Sequence, residues 1–156
     1  MIIHFSTLIT VLIDIAAWLM IHMGVSFIIS RRLMDSFNPS GWLYRKCSWE
    51  KNGLIYVRLF KVKAWKKCLP DGAALFKNGF QKKQMRETNQ SYIRAFIKET
   101  CRAEFTHWIV LLCGFLFFLW NLWWVGIIMI IYAAAANLPC IITQRYNRIR
   151  LQRLLK

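Results

Sequence analysis

"FTHWIVLLCGFLFFLWNLWWVGIIMIIYAAAANLPCIIT", residues 105–143, runs for 39 positions without a Lys, Arg, Asp or Glu. An α-helix needs only about 20 residues to cross a hydrocarbon core about 30 Å thick, so this stretch is too long for one crossing. Asn121, inside the tryptophan-rich "WNLWW", marks the place to divide it, because tryptophan favours the membrane–water interface. A second apolar stretch, "FSTLITVLIDIAAWLMIHMGVSFII" at residues 5–29, carries no Lys or Arg and is long enough to cross once. The expected fold is an all-α membrane protein forming a single membrane domain, residues 1–156. Its transmembrane helices are placed at about 5–29, 95–120 and 122–143, the second of them short in apolar content.

Composition agrees with this reading, since 57% of the 156 residues are hydrophobic, more than an ordinary soluble domain carries. The net charge of +15 raises nucleic-acid binding as an alternative, but the position of the charge argues against it. Of the 22 Lys and Arg, 17 lie between residues 30 and 104 and the remaining five between 144 and 156, with none in the spans. That asymmetry is the one the positive-inside rule describes, and it predicts the N-terminus outside and the C-terminus inside. Residues 30–94 become a basic interfacial segment in the cytoplasm, and 144–156 a basic amphipathic tail. The N-terminus lacks the basic n-region and small-residue cleavage site of a signal peptide. Five cysteines, with no C-x-x-C pair, are expected as free thiols.

Within the interfacial segment, "GLIYVRLFKVKAWKK" at 53–67 interleaves cations with apolar and aromatic residues, as a chain lying on an anionic membrane does. Short helices fit it, although the alternation at 56–63 also fits a strand. "PSG" at 39–41 and "LPDG" at 69–72 read as turns. A helix is expected to start near Asn89 and run into the second span. "AAAA" at 133–136 offers a smooth surface for close helix contact, and Pro139 predicts a kink. In the first span, Asp14 and His22 are costly in lipid. Each is a candidate for proton or substrate contact, or for a hydrogen bond that fixes packing, and the second role suits His22 better.

The chemistry concentrates in "ETCRAEFTHW", residues 99–108. On a helix Glu99, His107 and Glu104 fall at about 0°, 80° and 140°, with small residues between them. Glu104 and His107, three residues apart, are within reach of each other, and a carboxylate orients an imidazole. Arg102 is placed to pair with Glu99. On the third helix Asn137, Gln144 and Arg148 share one face, so two polar stripes can meet across an antiparallel helix pair. A histidine general base suits deprotonation of a hydroxyl, hence acyl transfer to an alcohol. Glu104-x-x-His107 with Glu99 also has the spacing of a metal site, which leaves a metal-dependent membrane hydrolase open. A non-catalytic membrane adaptor is the third possibility. Cys101 points away from His107 on the helix and is set aside as a nucleophile.

Four stretches, "SWEKNG" at 48–53, "KVKAWKKCLPDG" at 61–72, "ETCRAEFTHW" at 99–108 and "ANLPCIITQRYNRIRL" at 136–151, carry a resemblance. In them the chain resembles the glycosyl-4,4'-diaponeurosporenoate acyltransferases, bacterial membrane enzymes of staphyloxanthin-type carotenoid biosynthesis. It departs from the family pattern at Ile149, where that pattern has proline. The resemblance implies transfer of a fatty acyl group to a sugar hydroxyl of a glycosylated carotenoid or related glycolipid in the bacterial cell membrane. It marks Glu50, Trp65, Asp71, Glu99, Arg102, Glu104, His107, Trp108, Asn137, Gln144, Arg145, Tyr146, Asn147 and Arg148.

The expected catalytic set is His107 as base, Glu104 orienting it, and Glu99; Asn137 or Gln144 would donate to the oxyanion. Arg102, Asn137, Gln144, Arg145, Tyr146, Asn147 and Arg148 are the expected substrate-binding residues. Arg145 and Arg148, with the basic segment, would receive the phosphates of an acyl-CoA or an acidic acyl carrier protein. Asp71 reads as structural and Glu50 is left without a role. The expected partners are a lipid-soluble glycosylated acceptor, the acyl donor and membrane lipids, without nucleic acid, metal or other cofactor.

Overall fold

The computed structural model describes residues 6–69 and 89–155, and those residues are helical, turn or loop throughout. Five α-helices occur among them: α1 (Thr7–Ser30), α2 (Leu54–Arg58), α3 (Val62–Trp65), α4 (Gln90–Cys113) and α5 (Trp123–Arg153). Three helical runs, Thr7–Ser30, Gln90–Leu119 and Trp123–Arg153, are long and apolar enough to cross a membrane. The second crossing, short by apolar content, is thus carried by a helix that begins well before its apolar part. Asn89 starts that helix where the sequence predicts: its Oδ1 accepts the Tyr92 backbone N–H at 2.7 Å, an N-cap bond. All five cysteines are free thiols. The turn expected at 69–72, with Asp71, lies outside the described residues apart from Leu69.

The chain forms two compact units, and α4 and α5 contribute residues to both. The first comprises residues up to Arg32 together with Phe105–Leu138. In it α1 turns Leu8, Leu12, Ile15, Leu19, Met23 and Phe27 outward and buries Asp14, Trp18 and Ile29. A helix clothed in apolar side chains on its exposed side is built for lipid. Trp18, Val110, Phe117 and Ala133 form the core. Ala133, the first residue of the alanine run, is fully buried, and a Cβ on Gly114 would stand 3.1 Å from its methyl group. At Gly114 the chain also tightens from α-helix to a 3-10 segment that runs to Leu119. The turn between α4 and α5 closes through Asp14, whose Oδ1 accepts the Trp120 indole N–H at 2.7 Å and the Asn121 amide at 2.8 Å. Asp14 is therefore a packing acceptor. His22 lies beside the Trp18 ring, 5.5 Å between centroids.

The second unit comprises Leu33–Glu104 and Pro139–Lys156. The open reading of 56–63 resolves to helix: α2 and α3 are separated by a bend at Lys61, whose φ of 46° ends regular structure. Residues 144–153, the basic continuation of the third span, are the last turns of α5, and Tyr146, Ile149 and Leu151 among them are buried. Tyr146 and Ile149 pack on Tyr56 and Val62, while Leu151 packs on Ile93, Phe96 and Ile97. The two sets of partners take up different sides of α5, which explains why apolar side chains of so basic a segment are buried while Arg150 and Arg153 stay exposed. Helix α5 runs unbroken through Pro139, and the division between units falls at that residue, whose missing N–H weakens the helix locally.

Lys51, Asn52 and Gly53 all adopt left-handed backbone, with φ of 44°, 59° and 84°. The strain holds because Gly53 seats against α5, where a Cβ would meet the Ile149 side chain at 3.4 Å.

Removing the Asp14 acceptor leaves two donors unpaired inside an apolar unit. Asp14→Leu is expected to cost about 1–3 kcal/mol, read as a lowered thermal midpoint in detergent. Asp14→Asn, which keeps an acceptor oxygen, should stay near wild type.

Candidate active site and the buried charge network

The polar residues of α4 and α5 do meet, and they do so in two ways. In the first unit, the His107 Nδ1 lies 2.9 Å from Asn137 Oδ1. The Asn137 amide nitrogen is committed elsewhere, donating to the Ala133 carbonyl at 2.9 Å. That commitment fixes the amide orientation and leaves its oxygen toward the ring, so Nδ1 is the N–H donor. In the neutral imidazole the lone pair then lies on Nε2, the nitrogen that can take a proton. Asn137 is 1% exposed, and its backbone anchor is one α-helical turn away, so the acceptor is rigidly placed.

In the second unit the α4–α5 contact is ionic. Glu104, fully buried, accepts from Arg145 Nη1 at 3.1 Å and from Arg148 Nη2 at 2.6 Å, one guanidinium on each oxygen. Arg145 continues the network through Nε to Glu50 Oε1 at 3.1 Å and through its terminal nitrogens to the carbonyls of Leu43 and Arg45. Arg148 Nε reaches the Tyr44 carbonyl at 3.2 Å. Glu50, 1% exposed, also accepts the Tyr56 hydroxyl and the Cys47 backbone N–H. Two carboxylates and two guanidiniums thus neutralise one another out of water, the condition under which buried charge is tolerated.

Burial acts to raise the Glu50 pKa, but the Tyr56 hydroxyl, the Cys47 N–H and Arg145 outweigh it and hold the carboxyl below its ordinary 4.5. Burial and the neighbouring Glu50 push the Tyr56 hydroxyl well up, so it remains the donor. Tyr44, beside the Arg148 guanidinium, is pushed up to about 12, chiefly by burial.

Glu99 and Arg102 pair as their spacing predicts, at 2.8 Å. Glu104, expected to orient His107, has both oxygens engaged by guanidiniums, while the imidazole faces Asn137. The Asn137 amide nitrogen, expected at an oxyanion, is held by Ala133. Arg145 and Arg148, expected at donor phosphates, direct their N–H groups to carboxylates and carbonyls. Asn147 Oδ1 receives Lys66 Nζ at 3.2 Å, and Tyr146 lies buried in the core. Buried polar atoms left without a hydrogen bond include Gln144 Oε1, Arg148 Nη1 and Thr143 Oγ1, suited to a ligand's hydroxyl groups. Among the described residues, no group of three His, Cys, Asp or Glu is arranged to hold a metal ion.

Sequence reasoning gave Glu50 and Tyr56 no role. The signal there was that Glu50 is the one acidic residue between Asp35 and Asp71, in a stretch otherwise dense with cations, and such a residue must find a cation if it is to be buried. Lys66 was hidden among Lys61, Lys63 and Lys67.

Because the folded Glu50 pKa is lowered, its contribution to stability is full above 4.5 and is lost as pH falls through the lower folded value. The thermal midpoint of the wild type is expected to drop on acidification below about pH 5. Glu50→Gln should start lower at neutral pH and lose less over the same range. Glu104→Gln leaves the two guanidiniums undercompensated and is expected to cost about 3–5 kcal/mol.

The sequence model of the glycosyl-4,4'-diaponeurosporenoate acyltransferase family matches residues 40–156, which takes in all four motif stretches. Proteins of that name from Staphylococcus aureus strains bovine RF122, N315 and USA300 are each 34% identical over 139 residues, 89% of this chain and 84% of theirs. No solved structure matches the chain. The chain belongs to the glycosyl-4,4'-diaponeurosporenoate acyltransferase family and is an acyltransferase.

Proposed function

We propose that this protein, multi-pass in the bacterial cell membrane with its N-terminus outside, moves a fatty acyl group from a thioester donor to a sugar hydroxyl of a glycosylated carotenoid. His107 is the general base. The relatives are named for a glycosyl diaponeurosporenoate, a sugar-bearing carotenoid, which supports a lipid-dissolved acceptor. The orientation rests on the distribution of Lys and Arg, and the outward Trp42, Trp49, Leu33 and Leu59 of the second unit suit a membrane surface.

The observation that carries the mechanism is the His107–Asn137–Ala133 chain of hydrogen bonds. Asn137 holds the imidazole in the tautomer whose Nε2 lone pair can accept a proton. As the acceptor oxygen attacks the acyl carbonyl carbon, its proton passes to Nε2, and the imidazolium that forms keeps its Nδ1–H on Asn137. When the tetrahedral intermediate collapses, the carbon–sulfur bond breaks and Nε2 returns the proton to the leaving thiolate. An ester and a free thiol result. A neutral amide serves as orienter here because a second charge at this depth would need its own counter-ion.

The charged residues divide the remaining work. Glu104, Arg145, Arg148 and Glu50 hold the second unit in shape, and Glu99 with Arg102 is a local pair on α4. Gln144 Oε1 and Arg148 Nη1, buried and without a hydrogen bond, are positions for ligand hydroxyls.

His107→Ala and His107→Gln are expected to lower turnover by about 10²–10⁴-fold with the protein still folded. Asn137→Leu, which cannot accept from Nδ1, should lower kcat more than it changes KM, and Asn137→Asp should recover part of the loss. Product lipids quantified by mass spectrometry from cells carrying each variant give the readout. Full activity in His107→Gln would overturn the mechanism.

A further inference from the structure

Five of the described Lys and Arg side chains are wholly or partly buried: Lys66, Lys98, Arg102, Arg145 and Arg148. Four of them pair with a carboxylate: Lys98 with Asp35, Arg102 with Glu99, and Arg145 and Arg148 with Glu104. Lys66 does not. Its ammonium lies 5.0 Å from the centre of the Tyr146 ring and 3.2 Å from Asn147 Oδ1. Both are neutral partners, so among the described residues no carboxylate compensates the charge.

The surroundings sharpen the imbalance. Arg150 approaches the same Tyr146 ring at 5.8 Å, within cation–π range. Burial, and then the charges of Arg150, Lys63 and Lys67, depress the Lys66 pKa. Three cations therefore act on a fourth in a half-buried position. The five described carboxylates are all engaged elsewhere, Asp14 at the α4–α5 turn and the other four in the ion pairs already given. Among the described residues, nothing anionic answers this cluster. Folding that gathers like charges around a buried ammonium is unfavourable unless an anion offsets it.

We propose that Lys66 and Arg150, both set against the Tyr146 ring, form with Lys63 and Lys67, which flank Lys66 in sequence, a binding site for a phosphate-bearing ligand. Lysine ammonium groups serve phosphate as mobile point charges, and the Arg150 guanidinium adds a planar fork that can take two oxygens. The aromatic floor fixes two of the cations in advance, which lowers the cost of ordering them on binding. The site takes over the phosphate role that the sequence assigns to Arg145 and Arg148, whose guanidiniums are held in ion pairs with Glu104. Its place in the reaction, as the anchor of a phosphate-bearing acyl donor, rests on the acyl-transfer reading, whereas binding of phosphate does not.

The test uses the full chain in nanodiscs. Titration with inorganic pyrophosphate and with coenzyme A in phosphatidylcholine discs reads a soluble phosphate source. Exclusion of those probes when the discs contain phosphatidylglycerol reads a lipid headgroup at the same site. Lys66→Gln combined with Arg150→Gln is expected to weaken coenzyme A binding at least about tenfold. Arg58→Gln combined with Arg94→Gln, which removes the same charge from exposed positions outside the cluster, should change it less than about twofold. Lys63→Gln with Lys67→Gln, both exposed and harmless to folding, should weaken binding several-fold, and this pair decides the question if the Lys66 variant does not fold. Equal losses in the cluster and control variants, or failure of the wild type to bind any of the probes, would overturn the proposal. Because binding is read without turnover, His107→Gln should bind coenzyme A as the wild type does, so this site and the mechanism at His107 stand or fall separately.

Discussion

The second unit depends on one buried carboxylate, Glu104, held between two guanidiniums. Moving a lone carboxylate out of water costs several kcal/mol even after relaxation, so Glu104 can be fully buried only if compensating charge arrives with good geometry. Arg145 and Arg148 supply it, and each brings part of the chain along. Through Arg145 come Glu50 and the carbonyls of Leu43 and Arg45; through Arg148 comes the carbonyl of Tyr44. A segment that has no long helix, and that carries strained backbone at Lys51 and Asn52, is thereby tied to α5 at several points. The strain is tolerated because the network over-determines the turn beside it.

The first unit meets the same cost differently. Its polar groups are hydrogen-bonded and not ion-paired: His107 faces Asn137, Asn137 faces a backbone carbonyl, and Asp14 draws its bonds from an indole and an amide. Hydrogen bonds without formal charge carry a smaller desolvation cost, which suits helices whose outer faces are apolar. The choice also serves chemistry. In the mechanism proposed for His107, an imidazole whose ring is oriented by a neutral amide is the group that takes the proton from the acceptor hydroxyl.

Lys66 departs from both solutions. Among the described residues, where every other buried or half-buried cation brings its carboxylate, this one brings more cations, an aromatic ring and an amide oxygen. An imbalance that a protein could remove by a single substitution, yet keeps in a half-buried place, belongs with binding more than with folding.

Much of this was determined by the sequence alone. The 39 uncharged residues from 105 to 143, divided at Asn121, specify two apolar helices whatever else happens, because a run of that length must satisfy its backbone internally. Spacing on a helix likewise places Glu99 beside Arg102 and gives α4 and α5 polar stripes. Tertiary structure decided the partners. Glu104 and His107 are neighbours by spacing, but the side chains that reach them come from α5, and Arg145 in turn meets Glu50 across a separation of 95 residues. Periodicity fixes which residues share a face, whereas the charge that arrives at that face depends on how distant loops close, and no local pattern encodes that closure.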